Sequence, residues 1–300
     1  MERTLEKYQI IERSIITTYR KRLWSKFTKA IKEYKLIEPG DSICVCISGG
    51  KDSFIMAKLF MEISKHTHIP FTVKYLVMNP GYNPANLQRI KDNLQIMNIP
   101  AQIVDTNIFN VAYGMEKNAC YICAKMRRGA LYNLAQNMGC NKIALGHHYD
   151  DVIETTLMNM LQAGSFQTML PKLKSQNYNG MELIRPLYLI REKDIIAFCE
   201  AHELKFLRCA CPFTEEVDKH KEESASQRYQ TKLLIQRLLE LNPNVEKNIF
   251  KAASNVNLDM ILGYKTGGKT YNYLDNYNKE NKHESTTFKT RRQSCNSKPI

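Results

Sequence analysis

An apolar run, Ser42-Ile43-Cys44-Val45-Cys46-Ile47, ends without a spacer in Ser48-Gly49-Gly50-Lys51-Asp52-Ser53, and a helical pattern begins at once. A strand so short and so uniformly apolar is of the kind buried on both faces in a helix-covered parallel sheet. The paired glycines let the backbone turn sharply and approach a bound group closely. The amides that open the next helix then favour an anion. Lys51 adds positive charge, and Ser48 and Ser53 add hydroxyl donors. Asp52 would repel phosphate unless a magnesium ion bridges the two, so the turn reads as a site for a metal–nucleotide pair. Its spacing is neither that of a Walker A loop nor that of the dinucleotide fingerprint.

The rest of the chain alternates in the same way. Helical patterns at 53–64, 84–97, 120–138, 150–162 and 192–202 interleave with strand-like runs at 71–77, 101–104, 142–145, 181–184 and 205–207. Asn83 is placed to cap the second helix and Pro84 to open it. The order predicts an α/β fold, a parallel sheet with helices on both faces. Residues 1–40 read as a basic helical extension and 41–213 as the α/β domain. Residues 214–264 read as a helical segment striped by Leu233, Leu234, Leu238 and Leu239. Residues 265–300, rich in Asn, Lys, Thr and Tyr, read as a mostly disordered tail.

Charge bears on partners. Lys and Arg number 43 against 30 Asp and Glu, a formal +13. Residues 1–35 carry net +6 and residues 265–300 net +5, so the surplus sits at the ends. A polyanionic partner is implied, and the N-terminal helix, with Lys26 and Lys29, is a candidate RNA grip. No apolar run is long enough to span a membrane, and the first residues lack a signal pattern. A cytoplasmic location is therefore expected, and with it reduced thiols. Nine cysteines then call for metal, redox chemistry or burial. Cys44, Cys46, Cys140 and Cys199 lie within strand and helix patterns, which favours burial.

Cys120-Tyr121-Ile122-Cys123 opens a helix and is followed by Arg127-Arg128, candidates for RNA or phosphate contact. The spacing puts both sulfurs on one helical turn, where the helix N-terminus and nearby cations favour thiolate. Cys209-Ala210-Cys211-Pro212 lies about ninety residues on. A CxxC pair with one further cysteine can hold a [4Fe–4S] cluster with one iron open, or act as a disulfide-exchange trio. Gly146-His147-His148-Tyr149-Asp150-Asp151 is a second strand–turn–helix corner. One aspartate there can cap the helix and the other can bind magnesium, while a histidine can meet phosphate or move a proton.

Ser48-Gly49-Gly50-Lys51-Asp52-Ser53 resembles the PP-loop signature of N-type ATP pyrophosphatases. The order PP-loop, CxxC with Arg-Arg, Gly-His-His-Tyr-Asp-Asp, Arg185-Pro186-Leu187, Arg191-Glu192-Lys193-Asp194 and a third cysteine resembles the tRNA 2-thiocytidine synthetase family. That resemblance implies ATP, Mg²⁺ and a [4Fe–4S] cluster as cofactors, tRNA as substrate, and a sulfur donor such as a cysteine desulfurase. A homodimer is a separate expectation that no motif carries. The resemblance implies ATP on Ser48, Gly49, Gly50, Lys51, Asp52, Ser53, Met78, Gly146, His147 and Asp151, with Mg²⁺ on Asp52. It also implies cluster ligands Cys120, Cys123 and Cys211, with Cys209 the alternative. Lys51, Asp52 and the three cysteines would carry catalysis, the replacement of a cytidine O2 by sulfur with release of AMP and pyrophosphate. Rival readings are another PP-loop adenylating enzyme (2-thiouridine synthesis, amidation or small-molecule thiolation) and a non-catalytic Fe–S or redox-sensing nucleotide binder. The family's cysteine spacing near residue 209 differs from Cys-Ala-Cys-Pro, and the tail has no counterpart.

Overall fold

A computed structural model describes residues 5–113, 119–207 and 227–277. Helix α1 (Lys7–Ile16), a π-helical turn (Arg20–Trp24) and α2 (Ser25–Glu33) lead into β1 (Ser42–Ile47). Next come α3 (Lys51–His66), β2 (Thr72–Asn79), α4 (Pro84–Ile96), β3 (Ala101–Asp105), α5 (Ile108–Tyr113) and α6 (Ala119–Asn137). They are followed by β4 (Lys142–Ala144), α7 (Tyr149–Gln162), β5 (Lys172–Lys174), β6 (Glu182–Ile184) and α8 (Glu192–Ala201). Helices α9 (Gln227–Leu241) and α10 (Val245–Ala252) complete the first unit, which ends at Ala253.

The sheet order is β3-β2-β1-β4-β6-β5. All neighbours are parallel except β5, which runs antiparallel to β6 as a three-residue edge strand that the sequence pattern did not reveal. Alternation along β1 explains its composition. Ile43, Val45 and Ile47 enter one core with Ile11, Phe27, Phe54 and Phe198, whereas Cys44 and Cys46 enter a second with Tyr132, Ala135 and Cys140. The sheet is thus covered on both faces, as its apolar strands demand. Each fully buried Phe or Ile in these cores contributes about 1.5–3 kcal/mol. Asn83 caps α4 as expected, its side chain accepting from the Asn86 amide at 2.7 Å.

The N-terminal segment is more than an extension. Ile11, Ile15, Leu23 and Phe27 are fully buried in the main core, and Glu12 pairs with the buried Lys58. Residues 205–207, expected as a strand, form none. They are an extended stretch pinned at two points: Asn93 donates to the Lys205 carbonyl, and the Leu207 amide donates to the Gly49 carbonyl at 3.1 Å. No helix among the described residues is long and apolar enough to cross a membrane.

The second unit begins at Ser254. Part of the stretch read as a disordered tail is regular here. Antiparallel strands β7 (Gly263–Thr266) and β8 (Lys269–Asn272) are followed by a short helix, α11 (Leu274–Tyr277). Gly267 and Gly268 both take positive φ at the hairpin tip, the conformation a two-residue turn requires. The expected 208–213 end of the α/β domain, residues 214–226 and the tail from residue 278 lie outside the described residues.

Candidate active site

Parallel strands place the turns after β1, β4 and β6 on one edge of the sheet, where α/β folds bind ligands. The turn after β1 is built by its own residues. The Ser53 hydroxyl accepts from the Ser48 amide at 3.1 Å and donates to the Gly50 carbonyl at 2.8 Å. The Tyr82 hydroxyl donates to the Ser48 carbonyl, holding the turn from β2's side. Gly49 has φ +89°, and a Cβ there would lie 2.8 Å from Leu207 Cδ1, so only glycine fits. Gly50 precedes α3 with no side-chain cap, which leaves the amides of the first turn for a ligand.

Lys51 Nζ lies 3.0 Å from Glu192 Oε1 and 3.3 Å from Asp52 Oδ2. Burial opposes its charge, but Asp52 and Glu192 outweigh that and raise its pKa. The Asp52 carboxyl is pushed up by burial, against the fields of His148 and Lys51. Its Oδ1 is buried without a hydrogen-bond partner, with His148 Nε2 3.9 Å away.

The corner after β4 touches this turn, since a Cβ on Gly146 would come within 3.1 Å of the Ser53 amide nitrogen. His148, not an aspartate, caps α7. Its backbone N–H donates to Asp151 Oδ2 at 2.9 Å while its ring accepts from the Asp151 amide, a reciprocal box. Asp150 serves another helix: it accepts from the Glu192 amide at 2.7 Å, at the start of α8. Burial pushes the His147 imidazole down to about 4, and its Nδ1 is buried without a partner. His147 is therefore neutral at neutral pH and can exchange a hydrogen bond, but it is not a standing cation for phosphate.

Arg228 and Lys232 of α9 and Glu246 of α10, which sequence reasoning passed over, complete the edge with Arg191 and Glu192. On α9, Arg228 Nη1 meets Asp151 Oδ1 at 2.8 Å and Glu154 Oε2 at 3.2 Å, and Lys232 Nζ meets Glu192 Oε2 at 2.7 Å. Burial raises the Glu192 carboxyl, but hydrogen bonds from Lys232 and Lys51 hold it near 2. Arg191 pairs with Asp150 and with Glu246 of α10. Among the described residues, six carboxylates (Asp52, Asp150, Asp151, Glu154, Glu192 and Glu246) thus face four permanent cations (Lys51, Arg191, Arg228 and Lys232). A triphosphate could not enter so acidic a setting without a divalent cation, and the unpartnered Asp52 Oδ1 is an oxygen of the kind Mg²⁺ takes. The residues fit an ATP–Mg²⁺ pair.

Met78 lies buried near the same edge, on β2. Cys120 and Cys123 stand on the first turns of α6, and Cys123 is buried in the core that holds Met78 and Tyr82. Cys209 and Cys211 lie outside the described residues. Cys44, Cys46, Cys140 and Cys199 are buried, as expected. Arg128 is exposed and Arg127 half-buried on α6. Lys29 pairs only loosely with Glu33, whereas Lys26 is engaged by Asp194 of α8 at 3.1 Å.

A helix-covered parallel sheet with a glycine turn and an open helix start at its carboxyl edge defines a nucleotide-binding α/β protein of the PP-loop class, and the ATP-binding PP-loop domain family matches residues 20–211. A tRNA-cytidine(32) 2-sulfurtransferase of Geotalea uraniireducens is 35% identical over 239 residues, 78% of this chain and 91% of that one. A namesake from Pelobacter propionicus is 32% identical over 251 residues, 83% and 90% of the two chains. The chain belongs to the PP-loop family and, within it, to the tRNA-cytidine(32) 2-sulfurtransferases. Its fold is shared with the U34-tRNA thiolase NcsA from Methanococcus maripaludis, solved with its [4Fe–4S] cluster. That match has a TM-score of 0.59 at 22% identity and covers 77% of each chain.

Proposed function

We propose that this chain thiolates tRNA with ATP, converting a cytidine in the anticodon loop to 2-thiocytidine. The observation that supports this reading is topological. The phosphate turn Ser48–Ser53 follows β1, and α6, which carries Cys120 and Cys123 in its first turns, leads into the adjacent parallel strand β4, so both begin at the carboxyl edge. Family membership supplies the substrate class.

Cytidine O2 attacks the α-phosphorus. The O–P bond forms, the bond to the leaving pyrophosphate breaks, and C2 becomes activated as an adenylate. Lys51 and the open amides of α3 stabilise the charge that develops on the phosphates. Asp52 would hold Mg²⁺ through its unpartnered Oδ1. His147, neutral and buried, orients a substrate or phosphate oxygen by one hydrogen bond. Sulfide sulfur then adds at C2, the C2–O bond breaks, and AMP leaves. Cys120, Cys123 and Cys211 (or Cys209) are the thiolates that would hold a [4Fe–4S] cluster, whose open iron would supply a sulfur-binding position. Sulfur comes from a donor such as a cysteine desulfurase. Arg127, Arg128 and Lys29 contact the RNA, and Lys26 contributes less because Asp194 holds it.

The test is nucleoside mass spectrometry of tRNA incubated anaerobically with the protein, ATP–Mg²⁺ and sulfide. Formation of 2-thiocytidine with equimolar pyrophosphate is expected, together with its loss in Cys123→Ser. Pyrophosphate release without any thiolated nucleoside would refute the reading.

A further inference from the structure

Helix α9 enters the carboxyl edge from a distant part of the chain and brings two cations one turn apart. Thr231 and Ile235, on its buried face, fix it to the body, while the Arg228 and Lys232 side chains are each 44% exposed. They can therefore move without disturbing the core. Glu192 takes Lys51 on one oxygen at 3.0 Å and Lys232 on the other at 2.7 Å. A carboxylate that bridges two ammonium groups holds them close enough to share one anion.

We propose that Lys232 and Arg228 are triphosphate ligands delivered by α9, and that Glu192 holds Lys51 and Lys232 in place until nucleotide arrives. A magnesium-bound triphosphate still carries net negative charge, more than Lys51 alone offsets. Lys232 lies across one carboxylate from Lys51, and Arg228 lies on Asp151 of the adjoining corner. Among the described residues, these two half-exposed cations can turn toward the phosphates by side-chain rotation. Arg191 is held between Asp150 and Glu246 and stacks on Tyr149, which leaves it in a bracing role.

Two described residues far apart in the chain meet at these turns: the Leu207 amide donates to the Gly49 carbonyl, and Arg228 binds the Gly146–Asp151 corner. The inference rests on ATP being the substrate of the proposed reaction and not on which RNA is modified.

Titration calorimetry of the full chain with ATP and, separately, AMP at fixed Mg²⁺ tests it without RNA. Lys232→Gln and Arg228→Gln are each expected to weaken ATP by about tenfold while changing AMP by less than about twofold, the loss of one charge-assisted phosphate contact. Lys232→Arg is expected to recover most of the ATP affinity, and Arg237→Gln, exposed on the same helix, to leave it unchanged. ATP affinity within about twofold of wild type in both glutamine variants overturns the proposal. So does an equal weakening of ATP and AMP, which would mark a structural role. A wild-type chain that binds ATP with this dependence but forms no 2-thiocytidine would remove the thiolase reading and leave this inference standing.

Discussion

The two edges of the sheet both carry buried charge, and they handle it in opposite ways. At the amino edge, Lys142 is 1% exposed, and its ammonium is enclosed by Asp41 at 2.7 Å, Glu182 at 3.3 Å and the Leu36 carbonyl at 3.2 Å. Lys172 and Glu38 close the outside of that network. At the carboxyl edge the ion pairs are as numerous, but Asp52 Oδ1 and His147 Nδ1 are buried with no partner. In the first network each charge has an opposite charge within 3.3 Å. That includes Glu182 Oε2, which makes no aligned hydrogen bond but lies 3.2 Å from Lys172 and 3.3 Å from Lys142. The network ties β4 and β6 to the start of β1. The second is incomplete, and its missing partners are those a nucleotide and its metal would provide. Buried polar atoms left unsatisfied in a native fold are costly, and three of the five among the described residues, Asp52 Oδ1, His147 Nδ1 and Arg185 Nε, follow strands at the carboxyl edge, which points to function.

The largest expected effect breaks the closed network. Lys142→Met leaves Asp41 buried and uncompensated and should cost about 3–5 kcal/mol of stability, read from denaturant midpoints. ATP affinity of the protein that remains folded should be unchanged. Asp52→Asn should act in reverse, lowering pyrophosphate release by about a hundredfold or more through loss of the metal-holding oxygen. It should not lower stability. Burial holds the Asp52 carboxyl above its usual range, so that group's favourable contribution belongs to low pH and is gone once pH rises through its folded pKa. An amide carries no such cost. A clear drop in melting temperature for Asp52→Asn would place it with Lys142 as a structural charge and collapse the comparison.

A smaller effect should appear with pH. His147 is held down to about 4 from an ordinary 6.5, so between those values the unfolded chain binds a proton that the folded chain does not. Stability should therefore fall as pH drops from about 6.5 to 4, by on the order of 2 kcal/mol from this residue. His147→Gln should flatten that part of the stability–pH curve. An unchanged slope would show that the imidazole is not desolvated in the native state.

How much of this was legible in the sequence follows from range. The Ser48–Ser53 turn and the apolar β1 are local, and each announces its role through residues adjacent in the chain. The alternation of elements followed for the same reason. The Lys51–Glu192–Lys232 bridge joins three distant elements, and nothing at residue 232 distinguishes it from any basic residue on a helix. Either Asp150 or Asp151 read as a cap for the helix that follows, yet Asp150 accepts from the first amide of α8, because the fold sets that amide against it. Residues 205–207 have a strand's composition but only two pinning bonds in place of a ladder. The β7–β8 hairpin was written in Gly267-Gly268 between polar, aromatic residues, a signal outweighed by the composition of the stretch around it.

The smallest effect extends the comparison to charges outside either network. Lys26 is held by Asp194, in the manner of the amino edge, whereas Arg128 stands exposed beside the buried Arg185, whose own pKa is lowered to about 10 by burial and by Arg128's field. Two cations that repel each other at the mouth of a site gain most from an arriving polyanion. Arg128→Ala should therefore weaken tRNA binding by a few-fold. It should also reduce the slope of log K against log salt by about 0.7, the amount of one single-stranded phosphate contact. Lys26→Ala should leave that slope unchanged and cost less than about 1 kcal/mol of stability, as expected for a partly exposed pair. If instead Lys26→Ala flattened the salt dependence and Arg128→Ala did not, the RNA path would run over the N-terminal helices and away from the α6 side of the sheet.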